Sequence, residues 1–458
     1  MLAIVSDTFF GWGAMRVLVV AVGTRMPEWV MEAFEDYRAR MPRELNMELI
    51  EVRAEKRVGG MTAERRVLVW MCVLVAVNQL GFGAMVPSLP LYAQSFGVPA
   101  SAVGLAVAIY GLARFLIAVP SGRLADRIGR RPSLALGGVL SALGNLWCAW
   151  ATSYPEFIAA RFVSGAGAGL ILTTGQVVLA DISTPERRGR TIAIYQGTFL
   201  FAVGIGPFPG GLLAEHFGLA APFLAYGVAA LLATAVAWFA VAETRDMGRK
   251  PGGLRATKLR FVEQLRLLTS QIGFLLVSLI ALMNAVVRTG GLFAVIPVMI
   301  TAQLGISVAA VGSAMALGSV CGLIAAYPAG WLTDRFGRKA VIVPATLITG
   351  VSMLLFCYAP NYAWFTAGCV VWGIASSIGG AAPAAYAADS APPGMNAAAM
   401  SIFRMMADAG YVIGPLVLGL MVDITGALPA LLTGAGLLVV VGVAFAILAP
   451  ETFRGRGF

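Results

Sequence analysis

The sequence has little charge for its length. Of its 458 residues only 12% are charged, whereas 59% are hydrophobic. Soluble proteins carry roughly twice that charged fraction, so the composition excludes a soluble protein. Histidine occurs once, and the five cysteines lie singly in apolar stretches, without the spacing of a metal site or a disulfide framework. We therefore expect no metal centre and no cofactor.

Long apolar runs fill the chain from residue 65 onward. Each has about 20 to 28 residues, enough at ~1.5 Å per residue to cross a hydrocarbon layer of ~30 Å. We count twelve runs, named spans one to twelve, at residues 66–94, 100–121, 132–152, 155–180, 190–214, 218–242, 271–300, 306–329, 339–359, 362–388, 395–422 and 427–449. The sequence predicts an all-α membrane protein with twelve transmembrane helices.

Lysine and arginine are absent from six alternate connections between the spans, at residues 94–100, 151–156, 215–220, 302–307, 359–363 and 423–428. Most of the opposite connections are basic. Short loops rich in these residues stay in the cytoplasm, so we expect a multi-pass protein of a bacterial inner membrane with both termini cytoplasmic. The net charge of +10 is interpreted as a determinant of topology that faces anionic lipid, not as a nucleic-acid site.

Two basic segments repeat one another at a spacing of 208 residues. Residues 122–132 are Gly-Arg-Leu-Ala-Asp-Arg-Ile-Gly-Arg-Arg-Pro, and residues 330–339 are Gly-Trp-Leu-Thr-Asp-Arg-Phe-Gly-Arg-Lys. Gly122 and Gly129 are expected to form a tight turn, with Pro132 starting the next helix. The repeat predicts two halves of six spans, residues 61–243 and 271–458, with a cytoplasmic linker at residues 244–270. A substrate site is expected between the halves near the membrane midplane.

The first 60 residues differ from the rest in composition. They hold 8 of the 33 basic and 9 of the 23 acidic residues, which is typical of a soluble segment. Residues 15–23 and 47–52 are predicted strands, and residues 27–41 have the periodicity of a helix. This β-α-β segment is too short to bury a core of its own.

Within that segment, residues 20–30 (Val-Ala-Val-Gly-Thr-Arg-Met-Pro-Glu-Trp-Val) and 48–52 (Glu-Leu-Ile-Glu-Val) resemble the start of the ribosomal large-subunit pseudouridine methyltransferase family. The resemblance covers residues 15–58 and implies S-adenosylmethionine binding in a C-terminal knot, but nothing after residue 60 resembles that knot. We interpret residues 1–60 as a methyltransferase-like fragment joined by fusion or by a gene-model artefact, with a vestigial soluble cap as the alternative. Met61 is the expected native start.

The repeated pattern Gly-x-x-x-Asp-Arg-x-Gly-Arg resembles the loop motif of the major facilitator superfamily. Three further segments, at residues 80–90, 161–169 and 204–211, resemble motifs of its twelve-helix drug:proton antiporters. The third segment, in span five, combines a proline, which kinks a helix, with glycines that allow close approach, and the resemblance implies that its bend seals the path between the halves. Ala193 and Ala202 stand where this motif has glycine. Its core residues are Gly206, Pro207, Gly210 and Gly211.

The resemblance also implies polar contacts at the basic segments. Asp126 is expected to hold the start of span eleven at Met395, and Arg130 to pair with Asp181 at the end of span four. These contacts would form a latch in the outward-open state; the alternative is a solvated turn that only sets topology. The expected latch residues are Gly122, Asp126, Arg127, Gly129, Arg130, Asp181, Asp334, Arg338 and Asp389.

Charged side chains inside the membrane cost about 2.5 to 3.5 kcal/mol each on insertion scales, so most are paired or functional. Asp408 lies well inside span eleven, one helical turn after Arg404. We consider a structural Arg404–Asp408 pair and a proton-carrying Asp408, and favour the pair. Arg161 resembles the span-four arginine that the family links to proton coupling. The single histidine, His216, is interpreted as an interface residue.

The resemblance places the substrate cavity among spans one, four, seven and ten. Asp408 is the acid that lies well inside a span, and no spare acid is left there to bind a cation. Neutral, amphipathic or anionic substrates therefore fit such a cavity better than polycations. The candidate lining residues are Asn78, Gln79, Gln176, Asn284, Arg288 and Trp372.

We therefore expect a monomeric secondary active transporter that exports a small molecule, drug or metabolite, by proton antiport with alternating access. The alternatives are an uncoupled facilitator or metabolite exporter and, from other classes, a vestigial methyltransferase or a membrane sensor without transport. The expected partners are the substrate, protons and the lipid bilayer, and no nucleic acid. We do not expect an enzyme.

Overall fold

The computed structural model describes residues 15–22, 28–40, 45–52, 63–183, 188–241, 243–244, 261–392 and 395–452. The chain divides into two compact units, Met1–Arg66 and Val67–Phe458. Most of the predicted basic linker lies outside the described residues.

The first unit contains one strand–helix–strand motif. Strands Met15–Val22 and Leu45–Val52 pair in parallel and are joined by helix Glu28–Arg40, in the order that the periodicity predicts. The helix is largely exposed, with Tyr37 at 64% and Met31 at 39%. Two strands and one helix have too little apolar surface to enclose a core, which accounts for this exposure.

The second unit is built from helices that correspond to the twelve expected spans. Eleven of them are long and apolar enough to cross a membrane, and span six is a helix with a shorter apolar stretch, Ala221–Ala235. Spans one to six are Ala63–Met85, Ala100–Ile128, Arg130–Trp150, Tyr154–Ile182, Arg188–Ile205 with Pro207–Phe217, and Ala221–Ala240. Spans seven to twelve are Ile272–Leu304, Val308–Phe336, Arg338–Cys357, Tyr362–Asp389, Asn396–Thr425 and Ala427–Leu448.

Three spans are less regular than their apolar runs predict. Span one ends at Met85, ahead of Pro87, and a short helix, Leu89–Gln94, follows it. Span five is interrupted at Gly206. Span seven contains a π-helical segment, Val287–Val295. Such wide turns are rare and occur frequently at functional sites.

The first basic turn is shorter than the sequence predicts. Span two continues as helix through Gly122 to Ile128, and span three starts at Arg130, so Gly129 alone makes the turn, with φ 103°. The predictions that Gly122 bends the chain and that Pro132 starts the next helix are therefore wrong. One residue with positive φ suffices for the turn, and Pro132 is tolerated inside the first helical turn, where its missing N–H is not needed.

The 208-residue repeat is also a repeat of backbone conformation. Gly129 and Gly337 connect equivalent spans with φ of 103° and 96°, and Gly218 and Gly426 both have φ of 91°. The two halves therefore share their turns as well as their number of helices.

The halves meet along spans two and eleven and along spans five and eight. Gly104 of span two lies against the backbone of Pro415 in span eleven, and Gly312 of span eight lies against Pro207 in span five. A Cβ atom at either glycine would collide with the opposite backbone. Small residues thus allow the close approach that packing between membrane helices requires.

Asp423 of span eleven joins the halves at one end of the helices. Its carboxylate oxygens accept hydrogen bonds from the backbone N–H groups of Ala100 (2.8 Å) and Ser101 (2.9 Å) at the start of span two. N–H groups in a first helical turn have no partner within their own helix, and a carboxylate stabilises them. We call this end the Asp423 end, and the opposite end, which carries Gly129 and Gly337, the basic end.

Candidate functional site

Arg130 links three elements at the basic end. Its Nε donates to Asp181 Oδ2 at 2.8 Å, and its Nη1 lies 3.0 Å from Asp126 Oδ1 and donates to the carbonyl of Ala125. The Arg130–Asp181 pair implied by the resemblance is therefore present, with both side chains about a tenth exposed. It ties the turn to the end of span four.

The second half repeats this arrangement. Arg338 Nε donates to Asp389 Oδ2 at 3.1 Å, and Arg338 Nη1 donates to the carbonyl of Thr333 at 3.0 Å. Thr333 stands 208 residues after Ala125. Asp334 lies within span eight, but its side chain is outside the described part of the chain.

Two glutamates that the sequence analysis missed complete the clusters. The carboxylate of Glu243 accepts the backbone N–H groups of Arg130 (2.9 Å) and Arg131 (3.1 Å), and Glu451 accepts those of Arg338 (3.3 Å) and Lys339 (3.1 Å). Each carboxylate thereby stabilises the positive end of a helix. The detectable signal was the dipeptide Glu-Thr, present at residues 243–244 and again 208 residues later.

Asp126 does not make the contact with span eleven that the resemblance implies. Its side chain is 73% exposed, and its ion-pair partner is Arg130 of its own turn. Met395 is buried in an apolar cluster within the other half. The inter-half contacts described above lie toward the Asp423 end, so the two groups are not joined in this conformation. Arg127 is exposed at the same turn.

Asp408 connects the halves midway along the helices. Its Oδ1 lies 3.3 Å from Nη2 of Arg114 in span two, whereas its Oδ2 lies 4.0 Å from Nε of Arg404. The predicted Arg404–Asp408 pair is thus the longer contact, and Arg404 is 63% exposed. The shorter partner comes from the other half, and spacing along one helix gave no signal for it.

Arg161 is fully buried in span four. Its Nε donates to the carbonyl of Ala106 at 3.2 Å, and its guanidinium lies 4.5 Å from the ring centroid of Tyr110. Met85 Sδ is a third partner, at 4.0 Å. None of these partners carries a negative charge, so a carbonyl dipole and a π face are what stabilise the cation.

The structure places Asn78 outside the expected cavity. Its Nδ2 donates to the Tyr226 hydroxyl at 2.8 Å, and that hydroxyl lies 3.0 Å from Ser141 Oγ. These side chains are buried and connect spans one, three and six, so Asn78 belongs to the packing of the first half. Sequence position along span one does not show which way the side chain points.

The other predicted lining residues differ in exposure. Gln79 is buried, Asn284 and Trp372 are half-buried, and Gln176 is exposed. Trp372 Nε1 is buried and has no hydrogen-bond partner among the described residues. Arg288 interacts electrostatically with Arg114, Asp408 and Tyr411, yet its side chain is exposed, so it faces open space between the halves.

A narrow cleft lies between the halves beside these charges. Its walls are apolar side chains from spans one, two and seven, together with Arg161 and Tyr411. Phe82 of span one and Phe293 of span seven face one another across the halves, with ring centroids 6.3 Å apart. The cleft therefore places apolar side chains next to the buried guanidinium of Arg161.

The span-five motif lies at the interface between the halves. Gly210 packs against the backbone of Ala84 in span one, and Gly211 packs against Ala309 in span eight. Gly206, which is buried, stands at the interruption of the helix. The motif therefore packs two neighbours at close range, as its glycines predict.

A family model described as Major Facilitator Superfamily matches residues 71–289 and 275–457. An uncharacterized MFS-type transporter of Methanocaldococcus jannaschii is 23% identical over 359 residues, which cover 78% of this chain and 91% of the relative. The multidrug resistance protein MdtL of Shewanella sp. (strain ANA-3) is 24% identical over 283 residues, which cover 62% and 70%.

The fold is shared with a crystal structure of a bacterial homolog of the human lysosomal transporter Spinster, in its inward-facing, occupied conformation. The TM-score is 0.70 at 16% identity, with 85% of this chain and 97% of that one covered. The methyltransferase resemblance of residues 15–58 is not borne out, and the matched proteins are transporters, not enzymes, as predicted. The chain, a multi-pass membrane protein by its apolar helices, belongs to the major facilitator superfamily.

Proposed function

We propose that this transporter exports small organic molecules, drugs or metabolites, by alternating access to one site between its halves. The observation that carries the proposal is the Arg114–Asp408 pair, which joins the two halves midway along the helices, next to a cleft at their interface. In folds built from two parallel repeats, substrate sites lie at the repeat interface near the midplane. The multidrug resistance protein among the relatives supports drugs as substrates.

Closure at one end supports alternating access. The inter-half contacts run from Asp423 at one end to the Arg114–Asp408 pair midway along the helices. At the basic end Asp126 is largely exposed. We therefore assign this conformation to the state that opens toward the basic end. In the opposite state, Asp126 would contact the start of span eleven and act as the latch.

Proton antiport is proposed through Asp408. Protonation would remove its negative charge and so release Arg114, which weakens a contact between the halves and shifts the balance between the two states. Asp408 is 31% exposed, so a proton can reach it. Arg161 stays the alternative candidate for proton coupling, since it is buried beside the same cleft.

An uncoupled facilitator or exporter is the second candidate. It is favoured by the two arginines that flank Asp408, because a carboxylate that already has ion-pair partners is accounted for by a structural role.

Inverted membrane vesicles distinguish these candidates. Uptake of fluorescent drugs that differ in charge is measured with and without an acid lumen. We expect the gradient to stimulate uptake by the parent protein, whereas Asp408→Asn should still bind drug and lose the stimulation. Glu215→Gln, which removes an exposed acid at the end of span five, is the matched control. Uptake that ignores the gradient in the parent protein would favour the uncoupled candidate, and no uptake of any drug would contradict a transport function.

We also propose a bacterial inner-membrane location, a monomer, and a cytoplasmic basic end. The distribution of arginine and lysine among the short loops supports this orientation. Cysteines placed singly at exposed positions of either end, and labelled from outside intact cells, test it: labelling at the basic end would reverse the orientation.

A further inference from the structure

We propose that the central site takes amphipathic organic anions, compounds with an apolar ring system and one carboxylate, sulfonate or phosphate group. This inference rests on the proposed transport function, because it names the substrate class of the same site.

The charge balance of the middle of the helices is the first observation. Spans two, four, seven and eleven carry four guanidinium groups there, and the described residues include one carboxylate, Asp408, to oppose them. The four are Arg114, Arg161, Arg288 and Arg404. Cations inside a membrane are costly unless paired or hydrated. An anionic ligand would offset this excess, whereas a cationic ligand would increase it.

Arg288 is the group with the most freedom to bind a ligand. Among the described residues it has no hydrogen-bond or ion-pair partner, and it faces the space between the halves. It stands in the second position of the π-helical segment Val287–Val295, an irregularity that recurs at functional sites. A guanidinium presents several N–H donors in a planar fork, which matches the oxygens of a carboxylate or a phosphate.

Tyr411 provides a second donor. Its side chain is 5% exposed and lines the cleft, and its hydroxyl is buried without a hydrogen-bond partner among the described residues. Buried tyrosine hydroxyls normally have a partner. Its ring lies 4.9 Å from the guanidinium of Arg114, so the hydroxyl belongs to the same charged region. An anionic oxygen would be a suitable acceptor for it.

The cleft accounts for the apolar part of the substrate. In this conformation the cleft is narrow and lined mainly by apolar side chains, well short of the roughly 300–1,000 Å³ typical of ligand pockets, so the halves must move apart for a substrate to enter it. Phe82 and Phe293 line it from opposite halves and contact one another edge to face. In a widened cleft an apolar ring system would pack against these side chains while its acidic group reaches Arg288 and Tyr411.

Two fluorescent probes with nearly the same rings test this inference. They are 8-anilino-1-naphthalenesulfonate and its uncharged parent, N-phenyl-1-naphthylamine. Each is titrated against the full-length protein in nanodiscs, with empty nanodiscs subtracted. We expect the protein to bind the sulfonate at least tenfold more tightly than the parent amine. Arg288→Gln should weaken sulfonate binding about tenfold and leave amine binding unchanged.

Arg266→Gln, which removes an exposed arginine before span seven, should change neither affinity. Arg288→Lys keeps the positive charge and should retain most of the preference, which covers the case that the glutamine variant folds poorly. Equal affinity for the two probes, or a preference that survives Arg288→Gln, would overturn the anion inference. Drug uptake into vesicles by the same preparation separates that result from failure of the proposed function, since uptake of uncharged drugs would persist.

Discussion

Asp408 has one arginine partner in each half of the protein. Arg404 precedes it by four residues on the same helix, so the sequence alone reveals that pair. Arg114 lies in span two, and its contact with Asp408 is the shorter one. The residue spacing within either helix does not show that spans two and eleven pack together. For this reason Arg114, the nearer partner, could not be predicted.

We expect Arg114→Met and Asp408→Leu each to destabilise the protein, because each leaves the opposite charge without its closest partner. Breaking a buried pair costs about 3–5 kcal/mol. With the two side chains 24% and 31% exposed, we expect about 1–3 kcal/mol by the same principle. The double variant should recover thermal stability in detergent.

Arg404→Met, which removes the longer contact of a largely exposed arginine, is the matched control and should be nearly neutral. A double variant no more stable than either single variant would show that the two side chains do not interact.

At the scale of elements, the basic turn between spans two and three carries Asp126, the residue of the proposed latch. We expect Asp126→Asn to fold normally, because a charge at a helix terminus is worth only about 0.3–1 kcal/mol and this one is exposed. Transport should slow, since the carboxylate is needed in the opposite state. Parent-like uptake rates by a well-inserted variant would rule out the latch.

Close packing between spans two and eleven gives a further prediction. Gly104→Val should hinder closure at the Asp423 end, because its side chain would collide with the backbone of Pro415. Cysteine labelling at that end should then increase. Gly436→Val in span twelve is the control, since a Cβ atom there meets open space. Equal labelling of the two variants would contradict a role of Gly104 in closure.

Helix boundaries were predictable where an apolar run ends in polar residues, and less so where the backbone itself changes. The interruption at Gly206 coincides with a Gly-Pro pair that the sequence marks clearly. The π-helical segment of span seven has no such mark, because Gly290 and Gly291 permit a wide turn without requiring one. Glu243 and Glu451 were detectable from the repeat, because they stand 208 residues apart, but both lie just beyond the ends of the predicted spans.

At the scale of the whole molecule, the two compact units differ in composition and in fold. We expect a variant that begins at Met61 to insert and transport as the full chain does, because residues 1–60 take no part in the 208-residue repeat. Uptake into vesicles, normalised to the amount of inserted protein, measures this. A truncated variant that fails to insert would show that the first unit is an integral part of the transporter.

Number, order and repeat of the spans followed from apolar runs and loop charge, because both arise from the physics of the bilayer. The direction of each polar side chain did not. Asn78 was expected in the cavity and lies instead against Tyr226, since a helix hydrophobic on all sides gives no periodicity from which its inward face can be inferred.

The Arg114–Asp408 contact lies midway along the helices, so it can act as the pivot about which the two halves rotate. Span two packs against span eleven between that contact and the Asp423 end. Rotation of the halves about the contact would therefore separate the helices at the Asp423 end and bring them together at the basic end. Distances between spin labels at the two helix ends should therefore change in opposite directions during turnover, while the distance between backbone labels beside the pivot changes much less. A substrate bound beside the pivot would move very little, while its access to water would change from the basic end to the Asp423 end.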